Sequence, residues 1–409
     1  MRDARRIYYI HQGTFAFALA LAATLNIVWQ VESGLTPLQL ILIGTVLELT
    51  AFLLEVPTGI VADLYSRRLS VILGVFLFAA GWTLEGAVPA FWAFLLANVL
   101  WGTGYTFISG AHQAWIADEV GEAAVVRVYL TGAQIENVAR IVAIPIAAVL
   151  ASAQLNLPIL LGGGLFLLLG LFLVVAMPET GFRPTPLEER AKIGTMVRTF
   201  AAGVAVVRLR PILAMLLAAG VFIGLASEGI DRLSTPHLLH GFALPLPRLG
   251  PLEPVAWFAA FSLAIAALSA LGQCALTGYV VASTESRLSW LVASLAIVQV
   301  GATGYFALTG DLTTAAAAFV TLNVLRGIAG PIHGAWLNQG IDPRVRATVL
   351  SIGGQADALG QIAGGPLVGA VATMGSIRAA LLASTLLLLP VPAVYALCSR
   401  LVRPALKED

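Results

Sequence analysis

Long apolar runs broken by short polar stretches set the rhythm of this chain. A helix needs about 20 mostly apolar residues to cross the hydrocarbon of a bilayer. Twelve runs meet that measure, near 13–31, 38–61, 69–88, 90–112, 128–150, 157–177, 211–232, 254–281, 288–308, 314–336, 348–373 and 376–399. Six precede a polar segment from about Glu179 to Arg210, and six follow it. Within that segment Ile193, Met196, Val197, Phe200, Val204 and Val207 recur at helical spacing, with Arg190, Lys192 and Arg198 mostly off the stripe. This pattern predicts a basic amphipathic helix on a membrane surface.

The two sets of six share wording. "HQAWIADEV" begins at His112 and "HGAWLNQGI" at His333, 221 residues later. At that offset Gly132 meets Gly353, Gln134 meets Gln355, Glu136 meets Asp357, Ile141 meets Ile362 and Pro145 meets Pro366. "NVLWG" from Asn98 is echoed by "NVLRG" from Asn323, and "SRRLS" from Ser66 by "ESRLS" from Glu285. Shared His, Trp, Gln and Pro in one register indicate a duplicated unit. The expected fold is an all-α membrane protein, with twelve transmembrane helices in two pseudo-symmetric six-helix bundles. The expected domains are 1–178, a cytoplasmic linker 179–210, and 211–409.

Composition agrees with that reading. Hydrophobic residues make up 59% and charged residues 11%, against about 25% charged in a soluble domain. Mean hydropathy is +0.90. A net charge of +1 leaves no nucleic-acid footprint. Cys274 and Cys398 sit in apolar runs without metal or disulfide spacing. The basic start, "MRDARRIYYIHQG", lacks a convincing cleavage site and reads as the entry to an uncleaved first span. Lys and Arg in short loops stay cytoplasmic. With the N-terminus inside, the inner segments and linker hold eighteen of them, among them Arg67, Arg68, Arg287 and Arg346. The outer side holds only Arg232, Arg248 and Arg378. Both termini are therefore expected on the cytoplasmic side of the cell membrane.

Polar residues at depth single out the helices around a cavity. Spans 3, 6, 9 and 12 are nearly featureless. The first span carries Asn26 and Gln30, and the second Glu48 and Glu55. The fifth has Gln134, Glu136, Asn137 and Arg140, and the seventh Glu228, Asp231 and Arg232. Asn323 and Arg326 lie in the tenth, with Gln355, Asp357 and Gln361 in the eleventh. A charge facing lipid costs about 2.5–3.5 kcal/mol on the mildest scale. Every third span is thus expected to face lipid while the rest enclose polar space.

Between spans 2 and 3 stands "GIVADLYSRR", Gly59 to Arg68. It resembles the loop motif of the major facilitator superfamily, a glycine, an acid and a basic cluster. Gly59, Asp63, Arg67 and Arg68 match; Leu64 and Ser66 depart from the usual basic residue and glycine. The resemblance covers essentially the whole chain, and "EVPTG" from Glu55 is similar to poorly characterised, drug-efflux-like bacterial members. The antiporter signatures fit less well. Asn98 stands where an Arg is common, and the glycine-rich "GGPLVG" from Gly364 sits in span 11 rather than span 5. The resemblance implies that Asp63 holds an inner gate shut against the inner end of span 11, near Arg346 to Thr348.

Candidate chemistry follows from the buried charges. Glu136 and Arg140, four apart, share a helix face and read either as an internal ion pair or as part of a substrate or proton site. Asp357 repeats the acid of Glu136 in the second half. Arg326 has no acid nearby on its own helix and would need one of these two. Glu48 lies near mid-span with no cationic residue on its own helix, which suits a proton carrier. Asn26 and Gln355 complete the candidate site with Glu48, Glu136, Arg140, Arg326 and Asp357. Glu228, Asp231 and Arg232 read as a gate or a local ion pair. His112 and His333 have no Cys or carboxylate at ligand spacing. With Trp115 and Trp336 three residues on, they read as anchors at the membrane boundary.

No nucleophile–base pair, metal constellation or nucleotide loop occurs, so neither an enzyme nor a cofactor is expected. The expected function is a secondary active transporter working by alternating access. Proton-coupled efflux of an amphipathic compound leads. The alternatives are proton-coupled uptake of a polar or anionic solute, or a membrane receptor or assembly partner that does not transport. Its expected partners are a small-molecule solute, protons and membrane lipids, with no nucleic acid, and the chain acting as a monomer.

Overall fold

The computed structural model describes residues 3–182, 205, 207, 209–242, 253–338 and 343–401. Among them lie fifteen helices and no strand. The amphipathic helix expected in the linker falls almost wholly outside these residues. The first span is made of α1 (Ala4–Ala23) and α2 (Asn26–Glu32). It is followed by α3 (Pro37–Leu64), α4 (Arg67–Ala87), α5 (Phe91–Ile108), α6 (Ala111–Val120), α7 (Glu122–Ala153) and α8 (Leu157–Ala176). The second half begins with α9 (Pro211–Gly241), α10 (Glu253–Ala282) and α11 (Glu285–Leu308). It continues with α12 (Leu312–Leu337), α13 (Pro343–Met374), α14 (Ile377–Leu388) and α15 (Pro390–Leu401).

Several of the apolar runs become helices at a polar signal. Thr36 opens α3 in a reciprocal capping box with Gln39. Ser66 opens α4, Thr284 α11, Asp311 α12 and Ser376 α14, each side chain accepting from a backbone N–H of the first turn. Such caps satisfy donors that the helix leaves unbonded. Among the described residues, eleven spans, some formed by two helices, are long and apolar enough to cross a membrane. The long helix outside that set is α13, whose apolar character is diluted by Gln355, Asp357, Gln361 and its glycines.

The repeat is visible in the helix ends. α7 and α13 are both 32 residues long, and their bounds differ by the same 221 residues. Pro145 and Pro366 lie inside them at that offset. The echoed asparagines behave alike: Asn98 donates to the Phe94 carbonyl and Asn323 to the Phe319 carbonyl, each at 2.9 Å. Contacts divide the chain into two compact units. Unit 1 is Met1–Ala191 with Pro245–Leu263, and unit 2 is Lys192–Leu244 with Ala264–Asp409.

Unit 1 packs α1, α4, α5 and α8 around an aromatic core in which Phe15 meets Phe78 at 4.9 Å and Phe166 at 5.0 Å. One expectation fails here. The third span was to be a featureless prop facing lipid, yet 61% of its most apolar window is buried, against 39% for α8. It buries Glu85 completely, and Gln30 donates to that carboxylate at 2.7 Å. An inward acid among apolar neighbours leaves little trace in a hydropathy profile.

Unit 2 is organised on a seam between α9 and α13. A Cβ placed on Gly224 would collide with the Asp357 carbonyl, and one on Gly360 or Gly364 with backbone atoms of Val221 or Leu225. The helices therefore meet backbone to backbone, which only small residues permit. The glycine-rich stretch from Gly364 has this packing role.

Candidate functional site

In unit 2 the charges converge from three helices. Arg326 of α12 grips Asp231 of α9 with both terminal nitrogens, one bond being 2.8 Å. Asp357 of α13 and Glu228 of α9 act on the same guanidinium at longer range. Asp357 accepts from the Gln361 amide at 2.8 Å. Glu228 pairs with Arg232 at 3.7 Å. The partner of Arg326 was sought in Glu136 or Asp357, and the acid in direct contact is Asp231. Sequence spacing joined Asp231 to Arg232 along one helix; the fork of Arg326 reaches it across two. Among the described residues the cluster holds three acids, Glu228, Asp231 and Asp357, and two cations, Arg232 and Arg326.

In unit 1 Arg140 bonds Glu136 Oε1 through Nε at 3.2 Å and Nη2 at 2.6 Å. Gln12 of α1 reaches the other oxygen at 3.5 Å. Beside this chain runs a groove of about 640 Å³ on α1, α7 and α8, lined by Thr14, Phe17, Gln134, Ile135, Val138 and Leu165 among others. Its walls are apolar, with Gln134 and Thr14 as polar points. Pockets for small organic ligands have this size and this balance. Glu48 and Glu55 both act on Tyr105 of α5. Asn26 sits half-buried at the first turn of α2. Gln355 is half-buried on α13, two residues before Asp357.

The loop motif is the centre of a lock at the end of unit 1. Arg67 forms an ion pair with Asp118 of α6, donates to the Ala114 carbonyl at 2.9 Å, and lies 3.9 Å from Asp63. Glu179 accepts from Ser66 Oγ at 2.6 Å and from the Arg68 backbone at 2.9 Å. Glu119 accepts from the Thr180 and Gly181 backbone and from the Thr180 hydroxyl, at 2.6, 2.8 and 2.7 Å. Sequence reading named Asp63, Arg67 and Arg68 but missed Asp118, Glu119 and Glu179. The acids inside the quoted "HQAWIADEV" were the available signal. Gly59 lies on the last turns of α3 with open space around its Cα. The side chains from Arg346 to Thr348, the implied partners of Asp63, lie outside the described residues.

The repeated tryptophans are core residues. Trp115 and Trp336 are 1% and 2% exposed, so the expectation of boundary anchors is corrected. Trp115 donates to the Pro178 carbonyl at 2.6 Å, which ties α6 to the segment after α8. His333 meets the Tyr395 hydroxyl at 2.8 Å.

A profile of the Major Facilitator Superfamily matches residues 9–364. The chain is similar to an uncharacterized MFS-type transporter, YxaM of Bacillus subtilis (strain 168), with 22% identity over 232 residues. That match spans 57% of this chain and 58% of the relative, under two thirds of its length. Among solved structures it is similar to a mutant of nucleoside transporter NupG, with a TM-score of 0.77, 11% identity, and coverage of 98% and 100% of the two chains. A bacterial homolog of the human lysosomal transporter Spinster, inward-facing and unoccupied, gives 0.73, 16%, and 98% of each. A POT family transporter in complex with 5-aminolevulinic acid gives 0.73, 12%, and 98% and 97%. At these identities the likeness is one of fold.

Proposed function

We propose, from the premise that the chain belongs to the Major Facilitator Superfamily, that this multi-pass membrane protein is a secondary transporter of a small organic solute. Proton-coupled efflux of an amphipathic compound is the reading the geometry supports best. One observation carries it: among the described residues, the cluster around Arg326 has one acid more than it has cations. Asp231 and Glu228 each face an arginine, while Asp357 is held by the neutral amide of Gln361. A carboxyl in that setting can take either a proton or a cationic solute, and the two exclude one another. Such exclusion is what exchange requires.

Uptake of an anionic solute is the second reading, with Arg140 and Arg326 as its binding groups. Both arginines already hold an acid of their own unit, which favours the first. By charge bias the protein sits in the cell membrane with both termini cytoplasmic, and it works as a monomer in contact with lipids. Roles for Asn26, Glu48, Glu136, Arg140, Arg326, Gln355 and Asp357 are part of the same proposal.

The test is flux of ethidium, an amphipathic cation, in proteoliposomes with trapped DNA as reporter. An imposed pH gradient should drive ethidium against its own gradient, and collapsing the pH gradient should stop it. Flux of an anionic probe such as succinate in its place selects the second reading. Neither flux, in protein that melts cooperatively, points to a receptor.

A further inference from the structure

Two imidazoles lie against each other in the core of unit 1. His11 of α1 and His112 of α6 have ring centroids 3.8 Å apart and planes inclined by 35°. They are 1% and 5% exposed. Tyr8 stacks on His112 at 4.7 Å and Phe15 on His11 at 5.4 Å. Among the described residues, no contact of hydrogen-bond geometry reaches either ring nitrogen of His11 or Nε2 of His112. Burying donors and acceptors unbonded costs free energy. Phe or Leu would fill the volume without that cost, so packing alone does not explain the pair.

One side of the pair is polar. Gln12, next to His11, reaches Glu136 of α7 at 3.5 Å. The Glu136 side chain is 33% exposed and is bonded to Arg140. A carboxylate open to the exterior of unit 1 therefore bonds the residue next in sequence to one of the two buried imidazoles. The other titratable neighbours are Tyr8 and Tyr9 on α1, and Tyr129 on α7, whose ring is 6.3 Å from that of Tyr8. Asp118, further along α6, is engaged by Arg67 of α4. From α8 come Leu169 and Leu173.

We propose that the His11–His112 pair is a proton-binding site, holding one proton between its two imidazoles and loaded from the Glu136 side. The proposal rests on the proton-coupled reading above. The step is a protonation and nothing more: one N–H bond forms on a ring nitrogen, and a carboxylic acid or water gives up its proton. Two neutral rings can stack. A charged ring instead favours an N–H···N bond to its neighbour, which needs the rings edge to edge. Loading the proton therefore repacks α1 against α6, the helix that bears Asp118 and Glu119 of the lock.

The full chain, labelled with 15N-histidine in nanodiscs, is titrated from about pH 8 to 5, the range in which histidine acts as a switch. Long-range 1H–15N correlation separates neutral from charged rings, and His11→Gln and His112→Gln assign the signals against the other three histidines. The expected result is a coupled step in which the two rings take up one proton in all. His112→Gln should move the response of His11, and Glu136→Gln should move the midpoint by roughly one pH unit. Rings that stay neutral throughout, or that titrate singly and ignore each other, overturn the site. If a histidine variant fails to fold, the parent titration and Glu136→Gln still decide. A pair that loads its proton in a protein whose ethidium flux ignores the pH gradient leaves the site standing and sinks coupled transport. Gradient-driven flux with both rings neutral does the reverse.

Discussion

Arg326 and Asp231 face each other across two helices as a planar fork on a planar carboxylate, with Nη2 to Oδ2 at 2.8 Å. That pairing fixes α12 to α9 where Asp357 of α13 also comes within electrostatic range. Arginine suits this place because its two parallel N–H groups match both carboxylate oxygens.

Arg326→Ala should lower the unfolding free energy by about 1–2 kcal/mol. The figure is modest because the Asp231 side chain is 44% exposed and partly screened. Ethidium flux should be lost in the same variant. Exchanging the two residues, Arg326→Asp with Asp231→Arg, should recover much of the stability. Thermal melts of the purified proteins decide, and an unchanged melt for Arg326→Ala would remove the ion pair from the account.

Asp357→Asn takes away the surplus acid and keeps the shape. Flux driven by a pH gradient should fall to passive leak, while the melt stays close to that of the parent. Retained gradient-driven flux would show that Asp357 does not carry the proton.

Gly364→Val should prevent the close approach of α9 and α13, since any side chain at that position runs into the Leu225 backbone. Overpacking of this kind costs typically about 1–3 kcal/mol, and rigid backbone on the far side places it at the upper end. Gly354→Val, with nothing within 4 Å of an added Cβ, is the matched control. Equal melts for the two variants would refute the seam.

Arg67→Ala should loosen the lock, costing about 1.5–3 kcal/mol because hydrogen bonds to a charged group are lost. Limited proteolysis should then cut sooner near Pro178, the residue that Trp115 holds through its carbonyl. A cleavage rate equal to the parent's would mean the lock holds without Arg67.

Topology is open to a direct measurement. With Cys274 and Cys398 replaced, a cysteine at Ser283 should react with an impermeant maleimide only from the cytoplasmic side, and one at Gly310 only from outside. Reversed labelling would overturn the orientation.

Much of the scaffold was legible because lipid imposes so strict a length and polarity. The run read as 38–61 is α3, the run read as 69–88 is α4, and the run read as 157–177 is α8. The 221-residue echo from Gly132 to Pro145 and from Gly353 to Pro366 falls inside α7 and α13, whose bounds differ by the same offset. Pairings across helices were not legible. Asp231 was given to its sequence neighbour because spacing reports contacts along one helix and is silent about the next. Glu85 went unnoticed among apolar neighbours, and the tryptophans were sent to the boundary because composition cannot tell an inward ring from an outward one. Breaks inside spans 1 and 4 escaped for a related reason: hydropathy measures what side chains prefer and not where the backbone turns.

The break in the fourth span separates α5 from α6 at Gly110, which has φ 73°. Ala111 N donates to the Ser109 carbonyl at 2.8 Å across it, a tight γ-turn that suits glycine. The position 221 residues on is Pro331, inside the unbroken α12. Proline removes one amide and bends a helix; glycine in a turn severs it. Two arms copied from one original thus differ in spring constant. Amide exchange near Gly110 should outpace exchange around Pro331, and the softer arm is the one that carries His112, Asp118 and Glu119.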